Sequence, residues 1–360
     1  MSARGYKVFL FTLCLCGYFP FRNPLDLNVK KGSRIRGTLA LAWSLFLIIY
    51  PTLFFLDMMF SLPVLPSAGS NRQSATIPWY ACLASQFVIN ASLRLFSILN
   101  CGKLVELVEN LRPLKVHTEQ TSTGGLRKWT CNRLVWVVYA GQFTGQAFRL
   151  VLDLTTDESA MKGLKLLFVP EPAPFRIFTC HLVYIIMVSC VLVPCNFIIT
   201  LGSDLVQVHG SICAEVAELL VEQPIVEVRT NTAMTIEPRM SKSHMRVARI
   251  QEKFTTLKDC FKIYERLAGF YCFCIFWWVF AVIVTSFSSV SSPDSTNGLT
   301  RIDTINYGAW SILFIYMVAS FGEFMASSIE QGREAISDAM GRLGECRMLE
   351  DKEQVMTVNY

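Results

Sequence analysis

Charge is scarce in this sequence. Asp, Glu, Lys and Arg make up 17% of its 360 residues, against about 25% in an ordinary soluble domain. A chain so poor in polar groups cannot wet the surface of a soluble fold, and its 52% apolar content and mean hydropathy of +0.40 point to burial in lipid. The net charge of +5 is too small and too dispersed for a nucleic-acid partner. Catalytic signatures are missing too: no Walker loop, dinucleotide fingerprint, nucleophile elbow or HExxH run occurs. Neither an enzyme activity nor a cofactor is expected. Histidine is rare, and His117, His181, His209 and His244 fall on separate segments without zinc-ligand spacing, so no metal site is expected.

What is abundant is long apolar runs. A bilayer core needs about 20 mostly apolar residues in a helix. Six stretches qualify: about Thr38–Leu62, Ile77–Leu99, Leu134–Leu154, Phe175–Leu201, Ala268–Val290 and Tyr307–Ser327. The expected fold is an all-α polytopic bundle of six spans. Pro51 and Pro194 fall inside spans one and four, where membrane helices accommodate proline. The domains read as an N-terminal cytoplasmic or interfacial segment (1–37), spans one to four (38–201), a cytoplasmic helical anchor (202–267), spans five and six (268–327) and a cytoplasmic tail (328–360).

Orientation follows from Lys and Arg, which concentrate in cytoplasmic loops. With the N-terminus inside, 26 of the 33 lie on the cytoplasmic side and only Arg72, Lys162, Lys165 and Arg301 outside. Both termini are therefore expected in the cytoplasm. None of the 13 cysteines lies in the outer loops, so all are expected to remain free thiols. Arg4 and Lys7 before the apolar Val8–Cys16 run resemble a signal peptide, but no small-residue cleavage site follows. An interfacial or re-entrant helix packed under the bundle fits better.

Ionisable and polar residues inside spans carry the functional information. Arg94 and Glu323, near cytoplasmic helix ends, are expected to snorkel rather than to pair across spans. Asp57 lies in the outer third of span one. In span three, Tyr139, Gln142, Gln146, Arg149 and Asp153 recur at steps of three and four, which places them on one face from mid-membrane outward. Lipid would penalise that stripe, so it should face the bundle interior as a ligand pocket. The alternative is that the glutamines only bond neighbouring helices. Gly141 and Gly145 form a GxxxG on the same helix, a device for close packing. Trp79, Tyr80, His181, Tyr307 and Trp310 lie near outer ends and complete the candidate ligand-binding set, although belt aromatics and a packing histidine would look the same. Trp277 and Trp278 sit at mid-membrane, where an aromatic belt does not account for them. Asn90-Ala91-Ser92 has a glycosylation pattern but lies within a span.

Beyond span four, Leu205, Val208, Val216 and Leu219 continue as a helix leaving the membrane, and a proline-marked loop is expected over Gln223–Pro238. Val247, Ile250, Phe254, Leu257, Phe261 and Tyr264 then recur at three and four, the pattern of a buried helical seam running into span five. Such seams must be covered by each other or by another subunit.

The layout, together with Gly17-Tyr18-Phe19-Pro20 before span one and the run from Gly322-Glu323-Phe324 to Met340 after span six, resembles the insect gustatory and odorant receptor superfamily, more on the gustatory side. The resemblance extends to about residue 345. It implies a seven-span, all-helical subunit of a homo- or hetero-tetrameric, ligand-gated cation channel in the plasma membrane. It also implies a small-molecule pocket in the outer half of the bundle and a subunit-joining cytoplasmic anchor. The family's seventh, pore-lining helix and its Thr-Tyr…Gln-Phe motif have no counterpart after Glu345-Cys346-Arg347, so no pore residue is assigned here. A G-protein-coupled receptor would need an outside N-terminus, seven spans and usually an outer disulfide. A secondary transporter could use Arg149, Asp153 and Glu323, but no internal repeat is present. The threading is testable in intact cells: an impermeant amine reagent should leave Lys30 and Lys253 unlabelled until the membrane is permeabilised, and labelling from the medium would reverse the orientation.

Overall fold

The computed structural model describes residues 3–20, 34–61, 70–116, 173–230, 237–291 and 298–357, with 140, 141, 144, 145, 147, 150, 151, 154 and 155. All regular structure among them is helical. In chain order the helices are α1 (Ala3–Leu15), α2 (Arg34–Ser61), α3 (Ser70–Leu99), α4 (Cys101–Val116), α5 (Ala173–Thr230), α6 (Glu237–Ser291) and α7 (Gly298–Thr357). The nine residues described between 140 and 155 are helical as well.

The last three helices are too long for one solvent. At 1.5 Å per residue, 55 to 60 residues extend roughly 80–90 Å, about three times a bilayer core. Their sequences divide accordingly. Residues 173–200 carry the single formal charge of Arg176, whereas 201–230 hold Asp204, Glu215, Glu218, Glu222, Glu227 and Arg229. Residues 267–291 have no charge, and 237–266 are dense in it. Four helices contain a stretch apolar enough to cross a membrane: α2, α5, α6 and α7. Ala84–Leu99 and Cys101–Leu114, bent by 59°, qualify only as a joined pair. Span two therefore sits on α3, and most of span three lies outside the described residues.

Two compact units emerge from the contacts. The first comprises Met1–Val105, Trp129–Thr200 and Arg266–Ala319; the second comprises Glu106–Lys128, Leu201–Glu265 and Ser320–Tyr360. In the first, apolar side chains face outward in rows. On α2 these are Leu39, Trp43, Phe46 and Leu53; on α6 they are Phe273, Trp277, Phe280, Val284 and Phe287, all exposed. Rows of bare apolar side chains at helical spacing call for a non-aqueous neighbour, lipid or another protein surface. Trp278, one position from Trp277, is instead buried and meets Phe314 edge-on at 6.3 Å.

The chain's start is fixed by a glycine cap. Gly17 adopts φ +72°, Tyr18 N–H donates to Leu13 O at 2.9 Å, and Gly17 N–H donates to Cys14 O at 3.0 Å. These are the two bonds of a Schellman motif, and Leu13 and Tyr18 supply its buried apolar contact. Phe9 and Phe19 both pack on Phe197 of α5, at 6.4 and 6.1 Å. The first helix is thus an integral part of the bundle, in agreement with the packed-helix expectation.

Proline placement obeys the same accounting. Pro51 removes the N–H that would bond Leu47 O. The buried Asn90 side chain of α3 donates to that carbonyl across 3.4 Å, which also places the glycosylation-like asparagine out of any enzyme's reach. Asn100 joins α3 to α4: its own N–H bonds Phe96 O at 3.0 Å while its carbonyl accepts from Leu104 N–H at 3.2 Å.

In the second unit, Ile250, Leu257 and Tyr264 of the expected seam are buried, Phe254 and Phe261 are half-buried, and Val247 at its start is exposed. Lys253 bonds Glu215 of α5 at 2.6 Å. Gly202 is a contact point of three helices: a Cβ there would fall 2.5 Å from the Tyr264 hydroxyl and 2.7 Å from Phe321, and that hydroxyl donates to Met325 Sδ at 3.7 Å. One expectation fails. Gln223–Thr230 is the end of α5 rather than a loop, and Pro238 occupies the second position of α6. A proline in a first turn sacrifices no hydrogen bond, so it marks a helix start there and not a break.

Gly17→Ala should destabilise the chain by about 1–3 kcal/mol, from the left-handed backbone and the close approach, since its Cβ would lie 2.7 Å from Leu47 Cδ1. Gly145→Ala, with open space around it, should leave detergent-state melting within about 0.5 kcal/mol of the parent. Equal effects at both positions would refute the cap argument.

Candidate functional site

The buried polar groups of the first unit form a column along α3. Asn90, Arg94 and Ser97 share one face at steps of four and three, and none has measurable exposure. Each reaches a different neighbour. Asn90 meets α2 as described. Arg94 Nε donates to Cys16 O, at the cap of α1, across 3.2 Å, and Nη2 donates to Ile186 O of α5 across 3.4 Å. Its guanidinium also lies 5.0 Å from the centre of the Tyr18 ring. Ser97 Oγ donates to Leu93 O at 2.7 Å and accepts from the Tyr271 hydroxyl of α6 at 2.6 Å. Tyr271 in turn stands edge-on to Phe197 at 5.0 Å. Arg94 therefore does not snorkel. The carbonyl left over where α1 ends, and a tyrosine face, solvate the guanidinium inside the protein, and the closely placed glycine at 17 brings them within reach. Glu323 is exposed.

Next to this column, toward the N-terminal end of α3, an apolar layer is formed by Phe87, Val183 and Met187 with Tyr50, Phe54 and Phe55. Phe55 and Phe87 stack at 4.6 Å. Asp57 of α2, Thr179 and His181 of α5 and Ser311 of α7 are also buried in this unit.

Of the sequence-derived site residues, His181 is buried on α5 and Trp310 is half-buried on α7. Trp310 also meets the third span: a Cβ on Gly141 would fall 3.2 Å from its Cη2 and 3.5 Å from its Cζ2. A bare glycine backbone lets the indole lie against the helix that carries the stripe. Trp79 and Tyr80 belong to α3 and Tyr307 to α7 by backbone. Tyr139, Gln142, Gln146, Arg149 and Asp153 lie outside the described residues. The described thiols are all free, and no group of three metal-ligating side chains occurs among the described residues.

The α3 column escaped the sequence reading because Arg94 lies within reach of a helix end. The signal that could have found it was the Asn90-Arg94-Ser97 spacing, the same three-and-four argument applied to span three. Arg94→Met should lower stability by about 1–3 kcal/mol, because the Cys16 carbonyl at the end of α1 loses the guanidinium that bonds it. Arg94→Lys should recover only part of that loss, since an ammonium lacks the fork that reaches two carbonyls at once. Thermal unfolding in micelles reads both, and a full rescue by lysine would show that charge alone suffices.

The arrangement as a whole has a counterpart of known structure. The insect olfactory receptor OR5 from Machilis hrabei matches with a TM-score of 0.61, over 94% of this chain and 88% of that one, at 14% sequence identity. No family model and no curated protein matches the sequence. Similarity at that identity is a statement about architecture, and it extends over nearly the whole chain: this protein has the multi-helix membrane fold found in insect olfactory receptors.

Proposed function

We propose that the chain is a chemosensory receptor subunit, gustatory in kind, that binds a small-molecule tastant in the outer half of its bundle and couples binding to the gating of a cation channel. The observation that carries this is the fold likeness to an insect olfactory receptor over 94% of the chain. The ligand would lie among Tyr139, Gln142, Gln146, Arg149 and Asp153 of the third span, with Trp79, Tyr80, His181, Tyr307 and Trp310 as walls. Two features support that placement. Trp310 meets the third span at Gly141. In addition, Ala140, Thr144, Ala147, Val151 and Thr155, which project opposite the stripe by helical periodicity, are all exposed.

Chemically the set suits an amphipathic guest. Glutamine amides and the Arg149–Asp153 pair, i and i+4, offer donors and acceptors, while the indole and phenol rings offer flat apolar contact. In this reading the subunit resides in the plasma membrane with both termini inside, the second unit joins it to three further subunits, identical or not, and partner movement at that layer carries the signal to the pore.

The pocket is tested by ligand binding to the purified chain in nanodiscs, with a panel of sugars, bitter compounds and volatiles. Gln146→Leu should weaken the best ligand about tenfold, the value of one buried hydrogen bond. Trp277→Ala, on the lipid-facing row of α6, should leave affinity unchanged. Binding that is indifferent to Gln146→Leu and to Trp310→Ala would remove the pocket from the third span.

A further inference from the structure

The polar face of α3 does not end at Asn90. Gln86 lies one turn nearer the start of the helix and Cys82 one turn before that, so the column runs Cys82, Gln86, Asn90, Arg94, Ser97. Its two halves are bonded differently. Asn90, Arg94 and Ser97 are spent on backbone carbonyls and on Tyr271. Gln86 has one hydrogen bond among the described residues: Nε2 donates to Cys82 Sγ, a weak acceptor, across 3.7 Å. Its second N–H and its carbonyl oxygen are left over. The thiol has little further to give. It also bonds Thr285 of α6, whose own hydroxyl donates to Ala281 O at 2.8 Å, so in that contact the S–H is the donor.

An amide with capacity to spare needs a partner when hydrocarbon surrounds it. Gln86 lies nine residues from one end of the expected span Ile77–Leu99 and thirteen from the other. At roughly 13 and 20 Å along the axis, neither interface is within reach of its side chain. Nor does it face outward. Val88, Leu95 and Leu99 are exposed and mark the outer side of α3, and helical register sets Gln86 roughly 140–180° away from them. Yet Gln86 is only half-buried. An inward side chain that keeps accessible surface borders a hollow in the bundle. The α6 wall of that hollow leads on to the third span. Ser286, next to Thr285, lies against Gly308 of α7, where a Cβ would fall 3.4 Å from its Oγ, and Trp310 two residues on meets Gly141.

We propose that Gln86 is a hydrogen-bonding contact of the ligand, and that it selects a neutral, hydroxyl-bearing molecule, an alcohol or phenol. The inference rests on the receptor reading and adds a bonding residue to a pocket whose α3 side is otherwise Trp79 and Tyr80. Selection comes from matched capacities. The free N–H and carbonyl oxygen of one amide are a donor and an acceptor side by side, and a hydroxyl is an acceptor and a donor on one atom. A carbonyl compound would take the N–H and leave the amide oxygen unmet, and a hydrocarbon would leave both. Cys82, Thr285 and Ser286 carry no charge, so an ion beside Gln86 would lose its hydration without gaining a counter-charge there.

The test uses the full chain in nanodiscs, with binding read above that of empty nanodiscs. Benzyl alcohol, benzaldehyde and toluene serve as probes, since they share one ring and differ in the group offered to the amide. The parent should bind the alcohol about tenfold more tightly than the aldehyde, with toluene weaker still, and Gln86→Leu should abolish that preference. Gln86→Leu should also melt no lower than the parent, whereas Asn90→Leu should melt lower, because only the second removes a bond to the α2 backbone. An alcohol preference that is missing from the parent, or that survives Gln86→Leu, overturns the inference. So does a melting loss equal to that of Asn90→Leu, which would make the amide helix glue. The placement on the third span fails separately. Alcohol selection that depends on Gln86 but is untouched by Gln146→Leu and Trp310→Ala would sever the site from that span and leave this inference standing. Should Asn90→Leu fail to fold, the probe series on Gln86→Leu still decides.

Discussion

A guanidinium with no exposed surface inside an apolar bundle must find its solvation in the protein, and the architecture of the first unit follows from that need. Removing such an ion from water costs several kcal/mol even after relaxation. The return comes from carbonyls whose own partners are missing or shareable. A helix end is where such carbonyls occur, and α1 ends on a Schellman cap directly beside Arg94, presenting Cys16 O. The sequence Gly17-Tyr18-Phe19 thereby serves three purposes in successive residues. Gly17 turns the chain and permits contact with Leu47, Tyr18 lies beside the cation, and Phe19 packs on Phe197. A short N-terminal helix that would be marginal alone is held in place by a charge belonging to α3.

The same accounting applies wherever the backbone is interrupted. Pro51 leaves Leu47 O without its helical donor, and Asn90 supplies one. Asn100 closes α3 and opens α4 with its own N–H and carbonyl. In hydrocarbon an unmet carbonyl has no water to turn to, and at Leu47 and Cys16 a side chain of α3 supplies the donor. Those bonds, with Arg94 to Ile186 O and Ser97 to Tyr271, tie α1, α2, α5 and α6 to α3. In the second unit, where charged positions abound, helices are tied instead by an ion pair, Lys253 with Glu215, and by close approach at Gly202 and Gly332.

Much of this was legible in the sequence, and the reasons for the remainder are physical. Apolar run length located α2, α5, α6 and α7, because hydrocarbon thickness is a hard constraint on composition. The seam at Ile250, Leu257 and Tyr264 was legible because a helix buries every third and fourth residue. The resemblance carried by Gly17 to Pro20 pointed to a fold that the olfactory-receptor likeness bears out, whereas the gustatory subtype rests on the sequence alone. Arg94 was misread because snorkelling and burial have the same sequence signature. What separates them is whether a carbonyl lies within reach, and that depends on residues 78 positions away at Cys16. The Gln223–Pro238 stretch was misread for a local reason: its two prolines were weighed as breaks, although helix continues around Pro224 and begins again at Glu237-Pro238.

The distinction between helix glue and a ligand site also becomes sharper once bonding capacity is considered. Ser97 both donates, to Leu93 O, and accepts, from Tyr271, so it has little left to offer a guest. Arg94 and Asn90 are enclosed without exposure and directed at backbone. Such groups are committed to fold. A receptor needs the opposite: polar groups held away from lipid yet with donors and acceptors to spare, since a guest must replace the water that wets them. In the proposed site the glutamines and the Arg149–Asp153 pair of the third span would supply that surplus, since an amide has more bonding capacity than a single partner uses. That the third span sets glycine rather than a larger residue against Trp310 fits the same division. At Gly141 this helix is given over to close packing with Trp310.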